Sequence, residues 1–254
     1  MANPTFGSFS LQDSNYITEK VRYRHIAGRD IDSANIAKEP GSKLIDLEEG
    51  SKEIVLEGWI KGSDADDFQT RKENIHKNLA KKEQAFTVES DRQYTASLVS
   101  LDIPDEHHFI SAAPFVATFL SSDPFAKASQ VATTGITASG TAILTETISI
   151  SGTAFAVPIV TIQPTGFDAG DSGITHIFVK NNTEGQTLTI SGTFPYASDI
   201  AINYGASNVT VSGVARDFTG NFARFEPGDV DFEITTSGVN SQYTWRLDYQ
   251  PRFF

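Results

Sequence analysis

Apolar and polar positions alternate over much of this chain in short runs, the pattern of strands with one face buried. In the first half the pattern predicts strands at 53–60, 85–89, 93–100 and 109–120. In the second half shorter runs predict strands at 141–149, 157–163, 174–179, 187–191, 200–204, 208–211, 231–235 and 243–249. Turn residues separate them, notably Asn181-Asn182-Thr183-Glu184-Gly185 and Pro227-Gly228-Asp229. Many short strands with regular turns suit an antiparallel sandwich, so the fold class is mainly β.

One segment keeps a helical period. Phe68, Ile75 and Leu79 fall at spacings of seven and four and line one face. Ser63-Asp64-Ala65-Asp66-Asp67 supplies a cap and first-turn acids, and Lys81 and Lys82 suit the other end of the dipole. The helix is predicted at about 64–82.

Between Gly28 and Lys52 the pattern weakens. Ile31, Ile36, Leu44, Ile45 and Leu47 lie scattered among turn residues such as Glu39-Pro40-Gly41. A connection this long without strong structure of its own is unusual in a compact domain. Either it moves or a partner orders it, and those five apolar residues are the candidates for the contact.

Charge density marks a boundary. Residues 1–130 hold 15 Lys+Arg and 21 Asp+Glu, while 131–254 hold 5 and 11. The expected domains are therefore 1–130 and 131–254, joined by the small, polar stretch 126–135. The net charge of −12 opposes sequence-independent nucleic-acid binding and docking on anionic lipid. The absence of cysteine excludes disulfides, thiolate metal sites and cysteine nucleophiles. No stretch approaches the roughly 20 apolar residues of a membrane helix, and no secretory signal is evident. Synthesis in a cytoplasm is the expectation.

Candidate chemistry is sparse. Asp64, Asp66 and Asp67 could form an acidic cluster, but a helix N-terminus calls for the same residues. Glu106-His107-His108 could hold a metal, although adjacent histidines on a loop seldom both reach one ion. Asp168, Asp171 and Asn181 offer hard oxygens without the spacing of a calcium loop. His25 and His76 have no legible Ser or Asp partner, so no triad is supported. Tyr196, Tyr204 and Trp245 could make an aromatic sugar platform, or simply pack. Phe222 and Phe225 flank Arg224 and read as the anchor of a corner. No catalytic residue, metal or cofactor is expected.

Several segments together carry a family pattern. They are Ile54-Val55-Leu56-Glu57-Gly58-Trp59-Ile60 leading into the helix, Gln84-Ala85-Phe86-Thr87-Val88, and the strand 115–119 closing on Asp123-Pro124-Phe125. Later come Gly220-Asn221-Phe222-Ala223-Arg224-Phe225-Glu226-Pro227-Gly228 and the terminal Tyr249-Gln250-Pro251-Arg252-Phe253-Phe254. Their order resembles the distal tail proteins of long-tailed bacteriophages over nearly the whole chain. The resemblance implies an N-terminal β-sandwich-like domain with one α-helix and an extended arm at about 28–52, then a galectin-like C-terminal β-sandwich. It implies a virion protein of the tail tip that forms a hexameric ring around a DNA-permissive channel. Its partners would be copies of itself, the tail tube protein, the tail hub and receptor-binding proteins, with no membrane and no specific hold on DNA. The alternative is a carbohydrate-binding module on a tail or surface assembly. The His-x-Asn-Pro-Arg run of sugar-binding galectins is absent from 131–254.

Overall fold

The computed structural model describes all residues except 1–2, 24–28, 36–41, 90, 105–110, 140–141, 167–171 and 238–240. For 23, 29–35, 42–49 and 135–139 it describes the backbone alone. The chain divides into two compact units, residues 1–129 with Phe254, and 130–253.

The first unit contains β1 (Thr5–Phe6), β2 (Phe9–Ser10), β3 (Tyr16–Tyr23), β4 (Arg29–Asn35), β5 (Ser42–Glu49), β6 (Lys52–Lys61), α1 (Ala65–Leu79), β7 (Gln84–Glu89), β8 (Arg92–Asp102), β9 (Ala112–Ser121) and β10 (Ala126–Ala128). An antiparallel sheet runs in the order β2-β1-β7-β8-β9-β6-β3, and β10 joins the start of β8. Register sets its two faces. Ile54 faces Phe119, Leu56 faces Ala117 and Gly58 faces Phe115, all on the buried side. Phe6, Phe86 and Phe119 pack in mutual ring contact beside them.

Helix α1 contacts β6 and β8. Asp64 caps it, accepting from the Asp67 amide at 2.9 Å. Ile75 and Leu79 are fully buried, whereas Phe68 is half-buried. The helix ends at Leu79, three residues before the expected boundary. The Ala80 amide makes the last helical bond, to the His76 carbonyl, and Glu83 then turns the chain at φ +50° toward β7. Tyr16 ties the helix to the sheet: its hydroxyl donates to the Arg71 carbonyl and accepts from Asn74. Burial is the main cause that raises its pKa.

The second unit contains β11 (Ala132–Ser139), β12 (Ile143–Ile150), β13 (Ile159–Gly166), β14 (Ile174–Asn181), β15 (Gln186–Phe194), β16 (Ile200–Asn203), β17 (Asn208–Val211), β18 (Val214–Ala215), β19 (Phe218–Gly220), β20 (Gly228–Thr236), β21 (Gln242–Tyr249) and β22 (Arg252–Phe253). Two antiparallel sheets form, β11-β21-β13-β16-β17-β18 and β12-β20-β14-β15-β19. Alternate residues of both line one core. Phe232 of one sheet lies 5.4 Å, ring to ring, from Trp245 of the other. The Tyr243 hydroxyl crosses the same gap to the Ile234 carbonyl.

Two expectations need correction. The stretch 126–135 is not simply a linker, because β10 and the start of β11 occupy most of it. The stretch 28–52 does have structure of its own. Strands β4 and β5 pair antiparallel as a separate two-stranded sheet, with Ile31 opposite Asp46, Asp32 opposite Ile45 and Ser33 opposite Leu44. Backbone pairing makes this hairpin, so the weak apolar period of its sequence concealed it.

Candidate functional site

Three surfaces merit attention, two in the first unit and one in the second. The first is the β4–β5 hairpin. An isolated two-stranded hairpin is only marginally stable in water, so this element has a reason to seek a partner surface. Ile31 lies on β4, and Leu44, Ile45 and Leu47 lie on β5. Ile36 falls outside the described residues.

The second is the sheet face of the first unit turned away from the buried row. Along β9 the outward residues include Pro114, Val116, Thr118 and Leu120, and opposite them on β6 stand Trp59, Glu57, Val55 and Glu53. Val116 and Leu120 are exposed, and Val99 on the adjoining β8 is 62% exposed. Paired charges border this strip, with Arg22 of β3 on Glu57. It is an apolar strip with a charged rim, the composition of a contact surface. Alternation alone hinted at β9, but only the register of β6 and β9 brings the residues of those two strands together, and Val99 lies at the register break between β8 and β9.

The third is a groove of about 350 Å³ in the second unit, on the outer side of the six-stranded sheet. Thr161 and Gln163 of β13 stand opposite Arg246 and Thr244 of β21, and Trp245 of β21 and Asp199, just before β16, complete the lining. Arg246 is anchored through Nε to Asp248 at 2.7 Å, and the Thr133 hydroxyl fixes the other carboxylate oxygen at 2.7 Å. Sequence reading passed over these residues because nothing in their spacing tells which strands are neighbours.

The candidate chemistry resolves into structural roles where it is described. Asp64 and Asp67 belong to the helix start. Asp67 accepts from the Ser63 amide and from Arg71, and the Arg71 bond is the main cause that lowers its pKa. Asn181 is buried and staples a turn, accepting from the Glu184 amide. His76 is exposed on α1. His25, Glu106-His107-His108, Asp168 and Asp171 fall outside the described residues. Among the described residues no three His, Cys, Asp or Glu side chains cluster as metal ligands.

Tyr196, Tyr204 and Trp245 do not form a platform. Trp245 and Tyr204 are in the core, where burial raises the Tyr204 pKa strongly, while Tyr196 is 67% exposed. The segment around Gly220 is an aromatic corner. Phe225 exchanges two backbone hydrogen bonds with Ala156, and Tyr204 meets both Phe222 and Phe225 edge to face.

Residues 151–253 match the profile of the family described as siphovirus-type tail component, C-terminal domain. Over those residues the chain is similar to the C-terminal domain of siphovirus-type tail components. Among solved structures, the Dit (gp 19.1) protein of phage SPP1 matches with a TM-score of 0.75 at 13% identity, over 99% of each chain. That protein is described as a paradigm of the hub adsorption apparatus in phages infecting Gram-positive bacteria. A chain of the phage P2 baseplate in its activated conformation aligns over 90% of each chain at 10% identity and a TM-score of 0.42. No curated protein sequence matches significantly. The matched stretch falls within the second unit, and the likeness in fold to SPP1 Dit extends over both.

Proposed function

We propose that this protein is the distal tail protein of a long-tailed phage, a structural part of the virion at the tail tip and not an enzyme. The observation that carries the reading is the fold shared with SPP1 Dit across 99% of both chains. In this reading six copies close into a ring through the first unit, with the β4–β5 hairpin as the arm that reaches a neighbour and the Val99–Val116–Leu120 strip as part of the contact. A closed ring repeats one heterologous contact until the rotation closes. The ring joins the tail tube to the hub and its receptor-binding proteins. DNA passes through the channel, and the net charge of −12 supports passage without retention, since a negative wall does not displace counterions from phosphate.

The test is assembly. Six chains of 27.6 kDa make a ring of about 166 kDa. Native mass spectrometry of the protein at high concentration, and images of the tail tip, should show that species or a double ring. The double variant Leu44→Asp/Leu47→Asp should lose it while each chain keeps its wild-type unfolding midpoint. A three-fold or five-fold arrangement in the assembled tail would overturn the six-fold ring. Unchanged assembly of the double variant would overturn the arm.

A further inference from the structure

We propose that strand β12 is an open sheet edge that takes up an extended segment of a partner protein, one that alternates basic and apolar side chains. In the three larger sheets the other end strands are blunted. Strands β2, β18 and β19 are only two or three residues long. Strands β3 and β11 each carry a register shift, and β3 also bears Glu19, Lys20 and Arg22. Strand β12 has none of these devices. Its eight residues pair with β20 without a shift, and they include no lysine, arginine or proline. A long, even edge rich in Thr and Ile is a template for another strand.

Register tells which backbone groups are on offer. The Thr236 amide donates to the Ala142 carbonyl, so Leu144, Glu146 and Ile148 are the residues that bond to β20. Thr145 and Thr147 therefore turn their amides and carbonyls away from β20, and among the described residues nothing pairs with those groups. At the far end the Tyr249 hydroxyl closes the edge, donating to the Ser149 carbonyl at 3.2 Å and accepting from the Ser151 amide at 3.1 Å. The open stretch is thus centred on Glu146.

Charge selects the occupant. Opposite Thr145, Thr147 and Ser149 stand Glu233, Asp231 and Asp229 of β20. Lys180 engages Glu233, whereas Asp229 and Asp231 are exposed and have no basic partner among the described residues. An added strand lies about 4.8 Å beyond β12, so a lysine or arginine on its outer face can extend over Thr147 toward these carboxylates. On the inner face Leu144 packs partly against the core and Ile148 is buried, and an apolar residue of the incoming strand continues that row. A second copy of this chain fits less well. The antiparallel register that uses Thr145 and Thr147 of both copies sets Glu146 opposite its own counterpart, and like charges directly opposite destabilise a pair.

The inference does not depend on ring formation and is tested on the full chain, with an acetylated Lys-Val-Lys-Val-Lys-Val-Lys peptide as the probe. In the free protein the Thr145 and Thr147 amides should exchange rapidly with solvent while those of Leu144 and Glu146 are protected. The peptide should slow exchange at Thr145 and Thr147 at least tenfold, and a Glu-Val-Glu-Val-Glu-Val-Glu peptide should not. Asp229→Asn/Asp231→Asn should weaken binding of the lysine peptide at least tenfold with the Trp245 unfolding midpoint unmoved. Thr147→Pro should abolish it, because proline removes an outward amide that β20 does not use. Four results would each overturn the proposal: Thr145 and Thr147 amides already protected in the free protein, peptide protection confined to other strands, equal binding of the glutamate peptide, or wild-type binding by the double variant. Ring formation is read by native mass instead and stands or falls apart from these outcomes.

Discussion

The first unit buries one face of its sheet beneath a single helix, whereas the second buries the inner faces of two sheets against each other. A helix of 15 residues contacts only part of a seven-strand sheet, chiefly β6 and β8, with Tyr16 of β3 hydrogen-bonded to it. The consequence appears on the surface. In the first unit the exposed large apolar residues include Val99, Val116 and Leu120 on two adjacent strands. In the second unit Val131, Ile143, Ile159, Tyr196 and Val214 are dispersed, before β11, at the starts of β12 and β13, on the β15–β16 loop and on the outer strand β18. The second unit thus disperses its exposed apolar residues, while the first gathers them on adjacent strands where a neighbour can cover them.

Each unit has its own tryptophan, Trp59 in the first and Trp245 in the second, so the contrast can be read directly by fluorescence. The largest expected effect is that of Phe225→Ala. Phe225 is fully buried and touches Tyr204 and Phe232. Truncating such a ring costs about 3–5 kcal/mol. Urea unfolding should show a much earlier Trp245 transition and an unmoved Trp59 transition. Val116→Ser/Leu120→Ser should do the reverse of a core change, shifting stability by no more than about 0.5 kcal/mol while reducing assembly. If Phe225→Ala moves both transitions together, the two units do not fold independently.

The same contrast explains what could be read beforehand. Strands of the second unit were legible because burial on one face writes a period of two, as in Tyr243, Trp245, Leu247 and Tyr249 of β21. The helix was legible from Ile75 and Leu79, and its end was overrun because Lys81 and Lys82 suit a last turn that the chain does not form. The hairpin β4–β5 was missed because backbone pairing does not require apolar alternation. Short strands such as β1, β18 and β19 leave too few residues to show a period. The groove was illegible for another reason: Gln163 and Thr244 are far apart in sequence and meet only through strand order.

A smaller effect sharpens the picture of the closed sandwich. Gly220 ends β19 at φ +105°, and a Cβ there would lie 2.1 Å from the Thr187 carbonyl oxygen of the neighbouring strand region. Gly220→Ala should destabilise the second unit by about 1–3 kcal/mol through strain. Gly213 also has positive φ, +81°, but nothing lies within 4 Å of the Cβ position. Gly213→Ala should therefore cost less, and the difference between the two measures the close approach alone. Equal costs would mean that β19 can move away from its neighbour.

The smallest expected effect concerns pH and belongs to the first unit. Lys52 is 1% exposed, and its ammonium donates to the Tyr94 hydroxyl at 2.9 Å. Burial disfavours the charged form and lowers its pKa below the ordinary 10.5. Between the lowered value and 10.5 the unfolded chain holds the lysine proton more fully than the folded chain does. Stability therefore rises with pH in that alkaline window, because unfolding takes up protons there. The gain is absent below the folded pKa and complete above 10.5. The raised pKa of Tyr16 acts oppositely above pH 10, so wild type must be compared with Lys52→Met at each pH. The Trp59 transition of wild type should gain on that of the variant as pH climbs toward 10.5, while the Trp245 transitions of the two proteins stay together. A wild-type gain that appears instead in the Trp245 transition would assign the titration to the wrong unit.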